Sequence, residues 1–299
     1  MGLPAGRARS TRQIRGDETD VYTILSKSAL APDLIRMRIL APRVASKHLP
    51  GQFLIIRAAE QGERIPLTIA ASDPGSGSVD VIFQMVGVST RQLGALNPGD
   101  ALPSVTGPLG LPSDFHGAKR VVCVGGGVGT AVLFPQVSAL RSLGVETDVI
   151  IGARSAEYVI LKNELRALCG RLFITTDDGS EGRKGFVTDA LADLLDGGAY
   201  DLCVAIGPPG MMRAVAAMTR PRNLHTIVSL NPIMLDGTGM CGCCRVLVGG
   251  ETKYACVDGP DFDGHLVDFD SLTRRLKGFE AEERRLNEIY ADGVHPCGG

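Results

Sequence analysis

Long hydrophobic runs are missing from this sequence. No stretch approaches the roughly 20 apolar residues that a membrane-crossing helix needs, and the longest candidate, residues 121–134, is interrupted by four glycines. Membrane insertion is therefore not expected. An excess of one charge is missing too. The 31 lysines and arginines are balanced by 33 aspartates and glutamates, and no basic stripe argues for nucleic acid as a partner. The N-terminal M-G-L-P-A-G-R-A-R-S-T-R-Q-I-R is basic, but it has neither the apolar centre of a secretory signal nor paired arginines. Residues 1–18 read as a flexible tail. Internal repeats and low-complexity tracts are absent. Cysteine is not scarce, but its placement argues against a disulfide framework. Of eight cysteines, four crowd into residues 241–256, while Cys123 and Cys203 lie inside apolar, strand-like runs. That usage suits a reducing cytoplasm.

What is present falls into successive patterns, and 299 residues are enough for two or three packed domains. Over residues 19–115, short β-type runs alternate with Gly- and Pro-rich turns: V-Y-T-I-L at 21–25, L-I-R-M-R-I at 34–39, Q-F-L-I-I-R at 52–57 and V-D-V-I-F-Q at 79–84. This predicts an antiparallel β-barrel, with a short helix over 88–96 and a turn at Asn97-Pro98-Gly99-Asp100. Over 116–222 the rhythm changes. Buried strands at 119–124, 149–152, 172–175 and 202–206 are separated by helical patterns at 130–143, 161–168 and 188–195, which predicts an α/β doubly wound parallel sheet. Residues 223–299 read as a small third domain holding the cysteines. It ends in an amphipathic helical segment at 270–290, with Leu272, Leu276, Phe279, Leu286 and Ile289 on one stripe.

Each domain carries a motif with chemistry in it. In the barrel, Arg64-Ile65-Pro66-Leu67-Thr68 offers a guanidinium for a phosphate and a hydroxyl for a flavin N5. Gly87-Val88-Ser89-Thr90 opens a helix whose free N–H groups and positive dipole end suit a pyrophosphate; an ordinary N-cap by Ser89 or Thr90 is the bland alternative. Together, inside a barrel and ahead of a nucleotide fold, they point to FAD. Gly125, Gly126, Gly127, Val128, Gly129 and Thr130 follow a strand and start a helix, the context of a dinucleotide-binding turn, although Thr130 departs from strict G-x-G-x-x-G. Gly207, Pro208, Pro209, Gly210 and Met211 form a second tight loop after a strand, placed to lie over a nicotinamide. Arg154 ends one intervening strand where an adenosine ribose would sit, and Asp177, a further cofactor-binding candidate, ends the strand after that. Arg154 either accepts a 2′-phosphate, favouring NADP(H), or is a solvated arginine beside NAD(H).

The run Asp236-Gly-Thr-Gly-Met-Cys241-Gly-Cys243-Cys244, followed by Cys256, has the spacing of a plant-type [2Fe–2S] site, with aspartate where the first cysteine would stand. A carboxylate has the charge of a thiolate and can close the fourth position on iron as a harder donor. The metal set is thus Asp236, Cys241, Cys244 and Cys256, with Cys243 as the alternative to Asp236. Tetrahedral zinc on the same thiols is the bland alternative, which would make the chain an NAD(H)-sensing regulatory module rather than an enzyme.

In this order, R-x-P-L-T, V-G-x-S-T, G-G-G-V-G, G-P-P-G-M-M and the D/C-x4-C-x2-C-x11-C cluster resemble the ferredoxin–NADP reductase superfamily, in the branch with a C-terminal [2Fe–2S] domain. That branch includes electron-transfer subunits of dihydroorotate dehydrogenase and the small subunit of electron-bifurcating NADH-dependent reduced ferredoxin:NADP oxidoreductase, also known as sulfide dehydrogenase, so a dihydroorotate or sulfide dehydrogenase subunit is the alternative. The resemblance implies an oxidoreductase subunit that moves electrons between NAD(P)H, FAD and the cluster within a hetero-oligomer, beside a larger flavin and iron–sulfur subunit. Catalysis would be cofactor-borne, with no acid–base residue. One departure is Ile206, where many members carry a cysteine directly before the G-P-P loop.

Overall fold

The computed structural model describes residues 21–291; the tail read at 1–18 and Cys297 lie outside them. The first sheet is built from β1 (Tyr22–Ala31), β2 (Leu34–Leu40), β3 (Phe53–Arg57), β4 (Ile65–Asp73), β5 (Ser78–Gln84), β6 (Ala101–Leu102) and β7 (Ser104–Leu109). Its strands run antiparallel in the order β6-β1-β2-β5-β4-β3-β7. Period-2 alternation sets its two faces. Ile24, Met37, Ile39, Leu54, Ile56, Ile69, Val79, Val81 and Phe83 fill the interior. Two helices accompany it, the four-residue α1 (Pro42–Ala45) and α2 (Val88–Ala95), whose Leu93 plugs the same core.

The second sheet contains β8 (Arg120–Gly126), β9 (Glu146–Ala153), β10 (Arg171–Thr176), β11 (Arg183–Lys184), β12 (Leu202–Ile206) and β13 (Thr226–Ser229), in the order β11-β10-β9-β8-β12-β13 and all parallel. Each central strand is buried on both faces. Val121, Cys123, Val149, Ile151, Leu202 and Val204 turn toward α3 (Gly129–Ser142) and α4 (Lys162–Leu168). Val122, Val124, Ile150, Cys203 and Ala205 turn toward α5 (Val187–Gly197) and α6 (Pro209–Thr219). Continuous apolar runs are what such double coverage requires.

The last segment forms the hairpin β14 (Arg245–Val248) and β15 (Glu251–Tyr254), then β16 (Asp261–Asp263), α7 (Phe269–Leu276) and α8 (Glu280–Ala291). Two expectations are corrected here. The boundary drawn at 222/223 falls inside the α/β unit, because β13 pairs with β12 and β16 then adds an antiparallel edge to β13. The four-residue T-I-V-S of β13 is too short to reveal a strand by pattern. The amphipathic segment at 270–290 is also not one helix. A 3₁₀ turn at Lys277–Phe279 breaks it, leaving Leu272 2% exposed in the sheet core but Phe279 56% exposed. In addition, Gly125 and Gly126 continue β8 rather than belonging to the turn.

Asp80 on β5 locks the barrel to β2, where Arg36 and Arg38 hold its oxygens at 2.5 and 2.6 Å. Burial alone would push this carboxyl up, but hydrogen bonds from Arg38 and Arg36 outweigh it and hold the group below the usual carboxylate range. A depressed folded pKa means that the contribution is complete above the unfolded value near 4 and is lost as pH falls through the folded one. Chemical denaturation from pH 6 down to pH 3 should show this loss. Asp80→Asn should cost about 1.5–3 kcal/mol at pH 7 and flatten that part of the acid limb; an acid limb identical to wild type would remove Asp80 from it.

Candidate functional site

The two barrel motifs meet at one end. Arg64 is exposed just before β4, and Pro66, Leu67 and Thr68 lie on that strand. The adjacent Glu63 carboxylate accepts a short hydrogen bond from Ser89 Oγ, which brings the β3–β4 connection against the start of α2. The helix cap is Gly87, not Ser89 or Thr90, and the Gly87 N–H donates to Thr90 Oγ1 at 3.1 Å. The first-turn N–H groups that follow have no intrahelical acceptor. Nothing lies within 4 Å of where a Gly87 Cβ would stand. An exposed arginine beside an open helix N-terminus fits an anionic group such as a pyrophosphate.

Strand register decides what each residue of β4 faces. Thr68 lies opposite Phe53 and Pro66 opposite Ile55, whereas Leu67 lies opposite Leu54. Directly opposed residues share a sheet face. Leu67 therefore packs its side chain against the barrel core with Leu54 and offers its backbone at the outer surface. Pro66 and Thr68 share the outer face with Phe53 and Ile55.

The cysteine segment covers that same outer face. Phe53 and Ile55 pack in one cluster with Met234, Cys244, Ala255 and Cys256, flanked by Leu109 of β7. The approach is close enough that Gly237, at φ 75°, admits no Cβ: one built there would stand 2.6 Å from Leu109 Cδ1 and 2.7 Å from Ile55 Cδ1. Within the segment, the residues of the expected metal set fall into two pairs. Asp236 Oδ2 accepts the Cys241 N–H at 2.8 Å, and its Oδ1 accepts the Thr238 N–H at 2.8 Å. Cys244 and Cys256 are buried free thiols with sulfurs 3.1 Å apart. Backbone N–H groups of Thr238 and Cys241 hold the Asp236 carboxyl below its usual range. The Cys241 thiol is lowered by the Cys243 and Asp236 environment, while burial and the neighbouring Cys244 push Cys256 up to about 12. The buried Cys244–Cys256 thiol pair and the separate pair of an ionised carboxylate and an exposed thiol are donor types that suit thiolate coordination, which displaces the thiol protons, but among the described residues no three of them converge on one point. Cys243 is half-buried next to Cys241. Arg245, the last residue of the cysteine motif, donates to Gly242 O at 3.1 Å, and Arg275 of α7 to Cys243 O at 3.0 Å; Arg275 has no motif around it in the sequence.

The remaining motifs converge where strand order reverses between β8 and β12, the switch point at which open α/β sheets bind ligands. Gly129 starts α3 so close to β12 that its Cβ would stand 2.8 Å from Gly207 Cα, and a Gly207 Cβ would stand 3.2 Å from Gly126 Cα. The two glycine loops are therefore in contact, and two helix N-termini open at one mouth. A cleft of about 530 Å³ there is lined by Gly126, Gly127, Val128, Arg154, Asp177, Pro208, Gly210 and Met211. Gly125, Gly129, Thr130, Gly207 and Pro209 shape the loops from behind this lining. The sequence reading missed Tyr158, Phe186 and Thr188, which also line the cleft. Tyr158 lies in a 3₁₀ turn and stacks under the Arg154 guanidinium, 3.6 Å from its ring centroid. Ile206 is 3% exposed beneath the loop, so its side chain packs into the core rather than presenting a reactive group.

Comparisons with known proteins identify the family. Residues 231–268 match the iron–sulfur cluster binding domain of dihydroorotate dehydrogenase B, which favours iron–sulfur over zinc. The chain is 43% identical over 272 residues to a dihydroorotate dehydrogenase B (NAD(+)) electron transfer subunit homolog of Thermotoga maritima, covering 91% of this chain and 96% of that one. It is 34% identical to the corresponding electron transfer subunit of Geobacillus thermodenitrificans, covering 80% of this chain and 95% of the relative. A solved structure of the NADH-dependent reduced ferredoxin-NADP oxidoreductase, studied for flavin-based electron bifurcation, superposes with a TM-score of 0.86 at 42% identity, over 91% of this chain and 99% of the other. This chain belongs to the family of dihydroorotate dehydrogenase B electron transfer subunits and their homologues, within the ferredoxin–NADP reductase fold.

Proposed function

We propose that this chain is the electron-transfer subunit of a cytoplasmic, hetero-oligomeric oxidoreductase that connects NAD(P)H, FAD and a [2Fe–2S] cluster to a larger flavin and iron–sulfur partner, as in flavin-based electron bifurcation. When bound, FAD exchanges a hydride with the nicotinamide and single electrons with the cluster. The observation that carries this reading is the shared outer face of β3 and β4, where Pro66 and Thr68 lie beside the strand residues that seat the cysteine segment. A flavin against β4 and a cluster on β3 are then neighbours by construction.

The protein's part is binding and placement. Arg64 and the α2 N-terminus, from Gly87 to Thr90, hold the flavin pyrophosphate, and Thr68 offers its hydroxyl to the ring. The glycine loops at 125–130 and 207–211 seat the pyridine nucleotide, with Arg154 and Asp177 at its ribose end. Asp236, Cys241, Cys244 and Cys256 hold the irons. Among the described residues no helix is long and apolar enough to cross a membrane, and free thiols suit a reducing compartment. The bifurcating type rests on the solved structure matched over 99% of its chain and 91% of this one; the Thermotoga homolog named for the dihydroorotate enzyme is matched almost as fully, over 96% and 91%, so the identity of the partner subunit, not extent, separates the two types.

The test is an anaerobic visible spectrum of the purified chain with flavin, iron and zinc assayed, before and after NADH or NADPH. One flavin and two irons per chain, bleached by one nucleotide, is the expected result; a colourless zinc protein would overturn it. Tyr158→Ala should free the Arg154 guanidinium and weaken the bound nucleotide about two- to fivefold, read by titration of flavin bleaching, with the flavin spectrum unchanged. Unaltered affinity would place the nucleotide elsewhere. Asp236→Cys should keep the cluster while changing its absorption and lowering its potential, because a thiolate is the more covalent donor. An unchanged spectrum and potential would identify Cys243 as the fourth ligand.

A further inference from the structure

The residues matched to the iron–sulfur domain end at 268, and α7 begins at Phe269. This helix is fixed from several sides. Asp268 caps it by accepting the Ser271 N–H at 2.8 Å, Phe269 and Leu272 are buried in the sheet core, and Asp270 pairs with Arg213 of α6. Its last turn then reaches the cysteine segment, where Arg275 Nη2 donates to Cys243 O at 3.0 Å. That carbonyl belongs to the peptide joining Cys243 to Cys244, the buried thiol of the metal set. Arg275 is half-buried, and among the described residues no carboxylate lies within ion-pair distance of it. Arg245, which holds the neighbouring Gly242 carbonyl, is solvent-exposed, and its charge is screened accordingly.

We propose that Arg275 is a positioning residue for the cluster: it pins the peptide before Cys244 and supplies an uncompensated positive charge that favours the reduced, more negative state. This rests on the cysteine segment holding a [2Fe–2S] cluster. A fixed cation near a redox centre stabilises the added electron through a partly desolvated medium, where attraction is stronger than in bulk water. The contact comes from a helix outside the matched cluster domain, so the same cysteine motif without α7 would lack this charge.

The experiment is an EPR-monitored redox titration of the full chain as wild type, Arg275→Lys and Arg275→Gln, with iron and flavin assayed in each. Arg275→Gln should lower the ratio of reduced to oxidised cluster at a fixed poise by roughly tenfold, while Arg275→Lys, which keeps the charge and a donor, should stay close to wild type. Loss of iron from the glutamine variant alone would support the pinning role. A glutamine variant with the wild-type potential would overturn the proposal, and so would loss of iron from both variants with flavin retained, because the contact would then be merely structural. A wild-type chain with flavin but no [2Fe–2S] signal would instead defeat the cluster reading beneath it.

Discussion

The two-residue alternation of β3 is the constraint on which the rest of the molecule depends. Leu54 and Ile56 turn inward and close the barrel, while Phe53 and Ile55 turn outward and seat the cysteine segment. A slip of one residue would exchange these sets and bury the wrong pair. The same register fixes β4, because Thr68 and Pro66 oppose Phe53 and Ile55. One strand pairing thus sets barrel closure, the outer face shared by β3 and β4, and the seat of the cysteine segment. Gly237 completes the arrangement, since a side chain there would strike Leu109 and Ile55 and lift the segment away.

The pyridine-nucleotide end is governed by a different constraint, contact between two glycine loops. Gly129 and Gly207 are small because backbones meet there, and Gly126 because the Met211 side chain packs against it. Their approach joins the starts of α3 and α6 at the switch point of the sheet. Barrel residues also complete this end: Leu34 and Gln84 line the same cleft as Gly127 and Arg154. The cleft is therefore formed between the barrel and the α/β sheet.

Much of this layout is legible in the sequence, because its signals are local. Strand alternation, the strand–glycine–helix order at 120–130 and the cysteine spacing each depend on neighbouring residues. What the sequence hides is set by distant contacts. Leu67 belongs to a flavin-type motif, yet its orientation follows from pairing with Leu54. The strands β13 and β16 are four and three residues long, and they become strands only through pairing, β13 with β12 and β16 with β13. Tyr158 enters the cleft from a 3₁₀ turn with no pattern of its own, and Arg275 reaches Cys243 across 32 positions. The break at Lys277–Phe279 lies within a continuous amphipathic stripe, so periodicity alone could not place it.

The central claim is that flavin and cluster are neighbours within this single chain. Rapid freeze-quench EPR of the isolated, cofactor-loaded protein mixed anaerobically with its pyridine nucleotide tests this most directly. The account predicts that the reduced [2Fe–2S] signal grows in step with flavin reduction, without any partner subunit present. Flavin that is reduced while the cluster stays oxidised, although dithionite reduces it and its measured potential allows reduction, would contradict it.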